Sequence, residues 1–301
     1  MPSLSDVAAA ATRIDRHVRR TPVVEYASGV WLKCEYLQHT GSFKARGAFN
    51  RILAARGLGE LDPAIGVVVA SGGNAGLAIA YAARRLAVPA QVWVPTNAPA
   101  VKVAKLRQLG AEVILHGTEY ADAHDAAVKR AAELGAVYCH AYDQPEIVAG
   151  QGTLALELPD CDTVVVAVGG GGLLAGIATA LDGAARVVGV EPVTIPTLHR
   201  ALAAGGPVDV AVSGIAADSL GARRVGDIAY AVAVRTGVRS VLVSDEQIVE
   251  ARRALWEHWR IVVEHGAAAA LAGLTCGAYV PNRDERVVVV LCGANTDPSD
   301  L

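Results

Sequence analysis

The sequence has little charge, few aromatic side chains and few lysines. Charged residues make up 19% of the 301 residues and aromatic residues 5%, whereas hydrophobic residues make up 52%. A disordered chain has the reverse balance, so the composition excludes disorder and predicts a sizeable buried core. The net charge is −3, without the excess of basic residues that attracts nucleic acid or an acidic membrane surface. We therefore expect neither of these partners.

Cysteine is scarce as well. The five cysteines are an odd, dispersed set without a C-x-x-C pair. This pattern argues against a disulfide framework or a zinc cluster and is more typical of a reducing compartment. At the N-terminus, charged residues stand where a signal peptide has its apolar core. We therefore expect a cytoplasmic protein.

No stretch is long and uniformly apolar enough to predict a membrane span. Three stretches, 66–83, 163–181 and 266–282, contain no Asp, Glu, Lys or Arg. The first two each divide into a valine-rich run, a glycine cluster and a run rich in alanine or leucine, whereas a membrane helix needs about 20 predominantly apolar residues. They predict a buried strand, a turn and a buried helix.

What the sequence does contain is an alternation of short β-branched runs with alanine-rich helical stretches. Several runs are continuously apolar, as parallel strands covered on both faces are. The alternation predicts the α/β class with parallel sheets. The predicted strands are 30–33, 66–70, 91–94, 112–115, 137–140, 163–168, 186–190, 240–243 and 286–292. A capping box at 244–247 predicts a helix over 245–258.

A run of four glycines, Gly169–Gly172, follows the apolar run at 163–168. Backbone N–H groups exposed there, at the start of a helix, suit a phosphate group. A tight turn alone needs only one or two glycines, so we predict phosphate binding. The pattern Gly170-x-Gly172-x-x-Ala175, with Glu191 after the next strand, also matches a relaxed dinucleotide fingerprint. An NAD-dependent oxidoreductase is therefore an alternative.

Two further polar segments are candidates for chemistry. The turn from Ser71 to Asn74 lies between a strand and a helix, where Asn74 either caps the helix or also binds a ligand. Lys44 stands among small residues and Phe43 in a chain that has only five lysines. A lysine shielded from water has a lowered pKa and holds more of the neutral amine that forms a Schiff base or acts as a base.

Taken in order along the chain, three motifs are similar to those of the fold type II pyridoxal-phosphate enzymes, the tryptophan synthase β-like family. They are Ser42-Phe43-Lys44, Ser71-Gly72-Gly73-Asn74 and Gly169–Gly172. The sequence resembles the serine/threonine dehydratases, and segments 73–76 and 168–174 resemble the short catabolic serine dehydratases. The resemblance continues through Glu264 and Leu291–Asn295, and so spans almost the whole chain.

The resemblance implies an α/β fold of two parallel-sheet domains with pyridoxal 5'-phosphate in the cleft between them. The large cofactor-binding domain is expected over residues 1–46 and 144–301, and the small domain over residues 47–143. A homodimer is also expected. Because Cys292 lies nine residues from the end of the sequence, we expect no C-terminal regulatory domain.

The resemblance also implies roles for the matching residues. Lys44 is the expected catalytic residue, which holds the cofactor as a Schiff base and then removes the Cα proton of the substrate. The expected cofactor-binding residues are Phe43, Lys44, Asn74, Gly169, Gly170, Gly171, Gly172, Leu173 and Cys292. The expected substrate-binding residues are Ser71, Gly72, Asn74 and Ala75. Glu191 and the carbonyl groups of Leu220 and Ala222 match a site for a monovalent cation such as K⁺.

The implied reaction is β-elimination of water from L-serine, L-threonine or both, which yields a 2-oxoacid and ammonia. Alternatives within the family are a cysteine synthase-like enzyme, a serine racemase and a hydroxyaspartate dehydratase. Gly72 stands where racemases have a second serine, and Ala75 where sulfhydrylases have threonine, so racemisation and sulfhydrylation are less favoured. A non-catalytic small-molecule-binding protein of the same fold is a further alternative.

His265 departs from the family pattern, because dehydratases often have proline after the residue that matches Glu264. We expect a structural role for His265, with contact to the substrate as the alternative.

Overall fold

The short β-branched runs fold into ten strands in the computed structural model, which describes residues 1–301. The strands are β1 (Val23–Ala27), β2 (Val30–Lys33), β3 (Val67–Ala70), β4 (Ala90–Val94), β5 (Glu112–Leu115), β6 (Val137–Tyr138), β7 (Thr163–Ala167), β8 (Arg186–Pro192), β9 (Arg239–Val243) and β10 (Val287–Val290). Six strands form one sheet in the order β1-β2-β10-β7-β8-β9, and four form a second sheet in the order β5-β4-β3-β6. All neighbouring strands run parallel except β1 and β2. The predicted α/β class with two parallel sheets is confirmed.

Helices connect these strands. They are α1 (Leu4–Ile14), α2 (Lys44–Gly57), α3 (Asn74–Arg85), α4 (Ala100–Gln108), α5 (Tyr120–Leu134), α6 (Pro145–Gly152), α7 (Gly172–Leu181), α8 (Thr197–Ala204), α9 (Ala217–Leu220), α10 (Asp227–Thr236), α11 (Asp245–Trp259) and α12 (His265–Thr275). The predicted capping box is present, because the Ser244 side chain accepts from the Gln247 N–H while the Gln247 side chain reaches the Ser244 N–H. Helix α11 starts at the predicted residue.

Strand β1 is absent from the sequence-based prediction. It is an edge strand that pairs only with β2, in the antiparallel sense, and none of its residues is fully buried. Its sequence includes Glu25 and so lacks the continuous apolar run on which the other predictions rest. An edge strand with one partner needs no such run, because water covers part of its surface.

Each sheet has its own hydrophobic core. The central strands β3, β7 and β10 consist entirely of buried residues, as strands covered on both faces must. The larger core contains 48 buried residues and includes strands of the six-stranded sheet, whereas a core of 22 residues includes strands of the four-stranded sheet. The domain boundaries at residues 46/47 and 143/144 stay a prediction.

The thiols of all five cysteines are free. None of the helices combines the length and the hydropathy that crossing a membrane requires.

Candidate active site

The carboxyl ends of strands from the two sheets meet at one cavity of about 590 Å³. Ser71–Ala75 follows β3 of the four-stranded sheet, and Gly170 follows β7 of the six-stranded sheet. Open α/β sheets bind ligands at such ends. The predicted site residues that line the cavity are Lys44, Ser71, Gly72, Asn74, Ala75, Gly170, Leu220 and Ala222. Those that do not line it are Phe43, Gly169, Gly171, Gly172, Leu173, Glu191 and Cys292.

Lys44 is the first residue of α2, and its side chain lines the cavity. Its Nζ donates a hydrogen bond to the backbone oxygen of Ala141 at 2.7 Å and lies 5.0 Å from the centre of the Phe43 ring. Burial of the ammonium group lowers the pKa of Lys44 to about 8, against opposing charge interactions with Cys292 and Glu264. The amine is therefore more readily deprotonated than that of a surface lysine, as the sequence analysis predicted.

The turn after β7 presents backbone N–H groups that lack partners. Those of Gly169, Gly170 and Gly171 donate no hydrogen bond within the protein, and they lead into the N-terminus of α7. Side chains have no room here, because a Cβ on Gly170 would lie 2.3 Å from Cγ of Tyr142 and one on Gly171 2.5 Å from Cβ of Ala229. Gly171 also has a φ of +82°, which favours glycine. Free N–H groups at a helix N-terminus suit an anion.

The turn after β3 differs from its predicted form. Helix α3 begins at Asn74, its N-cap is Gly73, and no side chain caps it. The interpretation of Asn74 as a helix cap is therefore wrong, because its side chain forms hydrogen bonds elsewhere. The first N–H groups of α3 lack intrahelical partners and remain available to a negatively charged group beside Gly72 and Ala75 in the cavity.

Two residues to which the sequence analysis gave no role hold the side chain of Asn74. Its Nδ2 donates to Oε1 and Oε2 of Glu264 at 3.0 and 3.1 Å, and its Oδ1 accepts from Nδ2 of Asn295 at 2.7 Å. Burial raises the pKa of Glu264 to about 7, although the hydrogen bond from Asn74 favours the charged form. A signal for Asn295 did exist, since it closes the motif that follows β10.

Comparison with known proteins places the chain in a family. Residues 14–293 match the family model described as pyridoxal-phosphate dependent enzyme. The chain belongs to the pyridoxal-phosphate-dependent enzymes. It is similar to the L-threonine ammonia-lyase of Thermotoga maritima, with 35% identity over 99% of this chain and 76% of that protein. It is also similar to the phenylserine dehydratase of Ralstonia pickettii, with 37% identity over 99% of this chain and 94% of that protein.

A solved structure supports the same assignment. The threonine deaminase from T.th. superposes with a TM-score of 0.87 at 35% identity, over 99% of this chain and 100% of that one. The predicted family and its fold are thus confirmed.

The site of this pyridoxal-phosphate-dependent enzyme fits its cofactor on two observations. Lys44 would supply an amine of lowered pKa for the aldehyde carbon. The unpartnered N–H groups of Gly169–Gly171, in a turn where a Cβ on Gly170 or Gly171 would clash with neighbouring side chains, would supply donors for the phosphate. The individual roles of the site residues stay predictions.

Of the six predicted cofactor-binding residues that do not line the cavity, three lie outside the glycine turn, namely Phe43, Leu173 and Cys292. Cys292 is 3% exposed, and burial raises the pKa of its thiol well above the ordinary value, so the thiol is neutral. Its backbone oxygen accepts from the N–H of Phe43 at 3.0 Å, which joins the segment before Lys44 to the end of β10. Leu173 is a buried residue in the first turn of α7.

The hydrogen bonds of Glu191 bear on its predicted role as a ribose ligand in an NAD-dependent oxidoreductase. Its Oε1 accepts from the N–H of Leu198, and its Oε2 accepts from the N–H of His199 and the hydroxyl group of Ser240. The hydroxyl group of Thr197 lies 3.2 Å from Oε1, but its single hydrogen has a nearer acceptor in the oxygen of Gly169 at 2.6 Å. Both oxygens are thus occupied within the chain, which argues against ribose binding. Together with the family membership, this rules against the NAD-dependent oxidoreductase.

The predicted cation site remains a prediction. The structure has no group of three or more His, Cys, Asp or Glu residues arranged for a metal ion. The backbone of Leu220 packs against Gly169, and its oxygen accepts from the N–H of Ala222 at 2.9 Å.

His265 lies outside the lining of the cavity. It starts α12, and its Nε2 is 3.3 Å from Nη1 of Arg252, so the structural interpretation of this histidine is the one that the contacts favour.

Proposed function

We propose that this enzyme converts L-threonine, L-serine or both to the 2-oxoacid and ammonia. The observation that carries the proposal is the presence of Lys44, with its lowered pKa, in the same cavity as an anion-binding glycine turn and an uncapped helix N-terminus. Relatives named threonine ammonia-lyase and threonine deaminase, each about one-third identical over 99% of the chain, support it.

The residues of the chain divide the work as follows. The amine of Lys44 holds the cofactor and then takes the proton from Cα of the substrate. The N–H groups of the glycine turn hold the phosphate, and those of the Ser71–Ala75 turn hold the substrate carboxylate. Pyridoxal phosphate, when bound, supplies the electron sink that makes the Cα proton removable. Loss of the β-hydroxyl group as water, followed by hydrolysis, releases one 2-oxoacid and one ammonia for each amino acid.

A panel of β-substituted amino acids tests the proposal. We expect the purified enzyme to release 2-oxoacid and ammonia in equal amounts from L-threonine or L-serine, and the Lys44→Ala variant to release none. If the enzyme consumes O-acetylserine and sulfide but no hydroxy amino acid, the dehydratase proposal fails and the fold assignment stands. Formation of the D-amino acid in place of a 2-oxoacid identifies a racemase.

A second substrate class has a structural observation in its favour. Tyr120 and Tyr142 both line the cavity, and a β-aryl group can pack against their rings. The similarity to the phenylserine dehydratase of Ralstonia pickettii agrees with this feature. The panel therefore includes phenylserine, and a preference for it over L-threonine assigns this class. The panel also includes hydroxyaspartate, because Arg223 and Arg224 line the cavity and can pair with the second carboxylate of that substrate.

The homodimer, the cytoplasmic location and the monovalent cation belong to the same proposal. Sedimentation velocity measures the first, and fractionation of the source cells the second. For the third, we expect replacement of K⁺ by a bulky organic cation to lower activity, with Glu191→Gln abolishing the K⁺ response.

A further inference from the structure

The orientation of the Asn74 amide is determined by a chain of hydrogen bonds that begins at a backbone carbonyl. The oxygen of Thr40 accepts from Nδ2 of Asn295 at 2.7 Å. A carbonyl oxygen can only accept, so Asn295 must turn its nitrogen toward Thr40. The same nitrogen carries a second hydrogen, which it donates to Oδ1 of Asn74 at 2.7 Å.

Glu264 completes the chain from the other side. Its two carboxyl oxygens accept from Nδ2 of Asn74, and a carboxyl group keeps at least one accepting oxygen whether or not it is protonated. Asn74 therefore presents its oxygen to Asn295 and its nitrogen to Glu264. Because the two oxygens of one carboxyl group lie on the same side of that nitrogen, one hydrogen can serve both, which leaves the second for an acceptor in the cavity that Asn74 lines.

The groups that hold Asn74 are themselves firmly placed. Glu264 is 6% exposed and packs against Gly293, where a Cβ would lie 2.4 Å from its Oε1. The segment that carries Asn295 is tied to the segment before Lys44, because the N–H of Ala294 donates to the oxygen of Gly41 at 2.9 Å. Asn295 thus joins the segment leading to Lys44 with the turn that carries Asn74.

We propose that Asn295 and Glu264 are positioning residues, which fix the amide of Asn74 with its nitrogen turned toward the ring oxygen of the cofactor. If the Asn74 amide were free to turn by 180°, it would present its oxygen instead of its nitrogen to the cofactor half of the time. The amide oxygen and the ring oxygen would then repel each other. This inference rests on the proposed role of Asn74 as a cofactor ligand. The new element is that Asn295 and Glu264, which are distant from Asn74 in sequence, impose the orientation of its amide.

Replacing Asn295 by aspartate reverses the donor and acceptor roles in this series of hydrogen bonds, because aspartate at position 295 can only accept from Asn74. In Asn295→Asp, the Asn74 amide turns its nitrogen toward position 295 and its oxygen toward Glu264 and the cavity. We expect the apoprotein to bind pyridoxal phosphate about 5- to 100-fold more weakly, the range for a lost buried hydrogen bond. The absorption band of the bound cofactor should also shift, because its ring oxygen has lost a donor. Asn97→Asp is the matched control, on the exposed loop after β4.

A second substitution separates an effect on the orientation of the Asn74 amide from an effect on the stability of the protein. Adding Glu264→Gln to Asn295→Asp supplies a donor to the turned oxygen of Asn74 and should restore the thermal stability lost in the single variant. It should not restore cofactor affinity or the parental spectrum, because the Asn74 nitrogen still faces away. Asn295→Ala, which adds no charge, covers the case in which Asn295→Asp does not fold. We expect about 2- to 10-fold weaker binding for it.

The inference is overturned if Asn295→Asp, or Asn295→Ala in its place, matches Asn97→Asp in both affinity and absorption. Recovery of the parental spectrum in the double variant overturns it as well. These readouts do not depend on turnover. If the parent enzyme releases no 2-oxoacid while Asn295→Asp still weakens cofactor binding, the proposed reaction fails and the positioning role stands.

Discussion

Arg46 provides a stringent test of what holds the helix of Lys44 in place. Its guanidinium group is buried, with 1% exposed, and it donates to the two oxygens of Glu35 at 2.6 and 3.1 Å and to Glu157 at 2.7 Å. Lys33 forms a further ion pair with Glu157, so two cations and two carboxylates share one largely buried cluster. Replacing Arg46 by methionine keeps the apolar stem but leaves the fully buried Glu35 without its cation.

The expected loss is large because the remaining charge stays buried. Removing one partner of a buried ion pair costs about 3–5 kcal/mol, whereas an exposed pair contributes about 0–1 kcal/mol. Arg130 in α5 is the matched control, since its Nη1 lies 3.5 Å from Glu133 and the two side chains are 42% and 49% exposed. We expect Arg46→Met to lower the free energy of unfolding by about 3–5 kcal/mol and Arg130→Met by about 1 kcal/mol or less.

Urea unfolding of both variants, followed by tryptophan fluorescence and circular dichroism, measures the difference. Adding Glu35→Gln to Arg46→Met should recover part of the loss, because it removes the uncompensated charge. Equal losses for Arg46→Met and Arg130→Met would refute the reasoning. So would a double variant that is less stable than Arg46→Met alone.

Three further results are expected. Lys44→Met should make the apoprotein more stable at pH 7, because burial of the ammonium group is unfavourable. The free energy of unfolding of the parent, measured relative to that of Lys44→Met in urea titrations across pH, should rise between pH 8 and 10.5, because the unfolded chain keeps the Lys44 proton there and the folded chain has released it. The rate at which the apoprotein takes up pyridoxal phosphate should rise through pH 8 and then level off, and a continued rise to pH 10.5 contradicts the lowered pKa. Gly171→Ala should weaken cofactor binding, whereas Gly183→Ala, with a φ of +86° and open space around it, should lose stability alone; equal affinities contradict the steric argument.

Much of the fold and part of the site could be predicted from the sequence. Valine-rich runs such as that of β7 predict strands because burial on both faces demands apolar residues throughout. Lys44 and the glycine turn could be found because their local sequences are unusual. Strand β1 could not be found, since an edge strand carries a weaker pattern. The helix-cap interpretation of Asn74 failed because its partners, Glu264 and Asn295, lie 190 and 221 residues away in sequence.

The sequence by itself determined the α/β class, the family and the residue types that chemistry requires, because each depends on local pattern or on motifs in order. Only the tertiary structure decided how those residues act together. The lowered pKa of Lys44 comes from burial, and the orientation of Asn74 comes from side chains on distant segments. Burial and hydrogen-bond partners are properties of how the chain packs, and no local pattern specifies them.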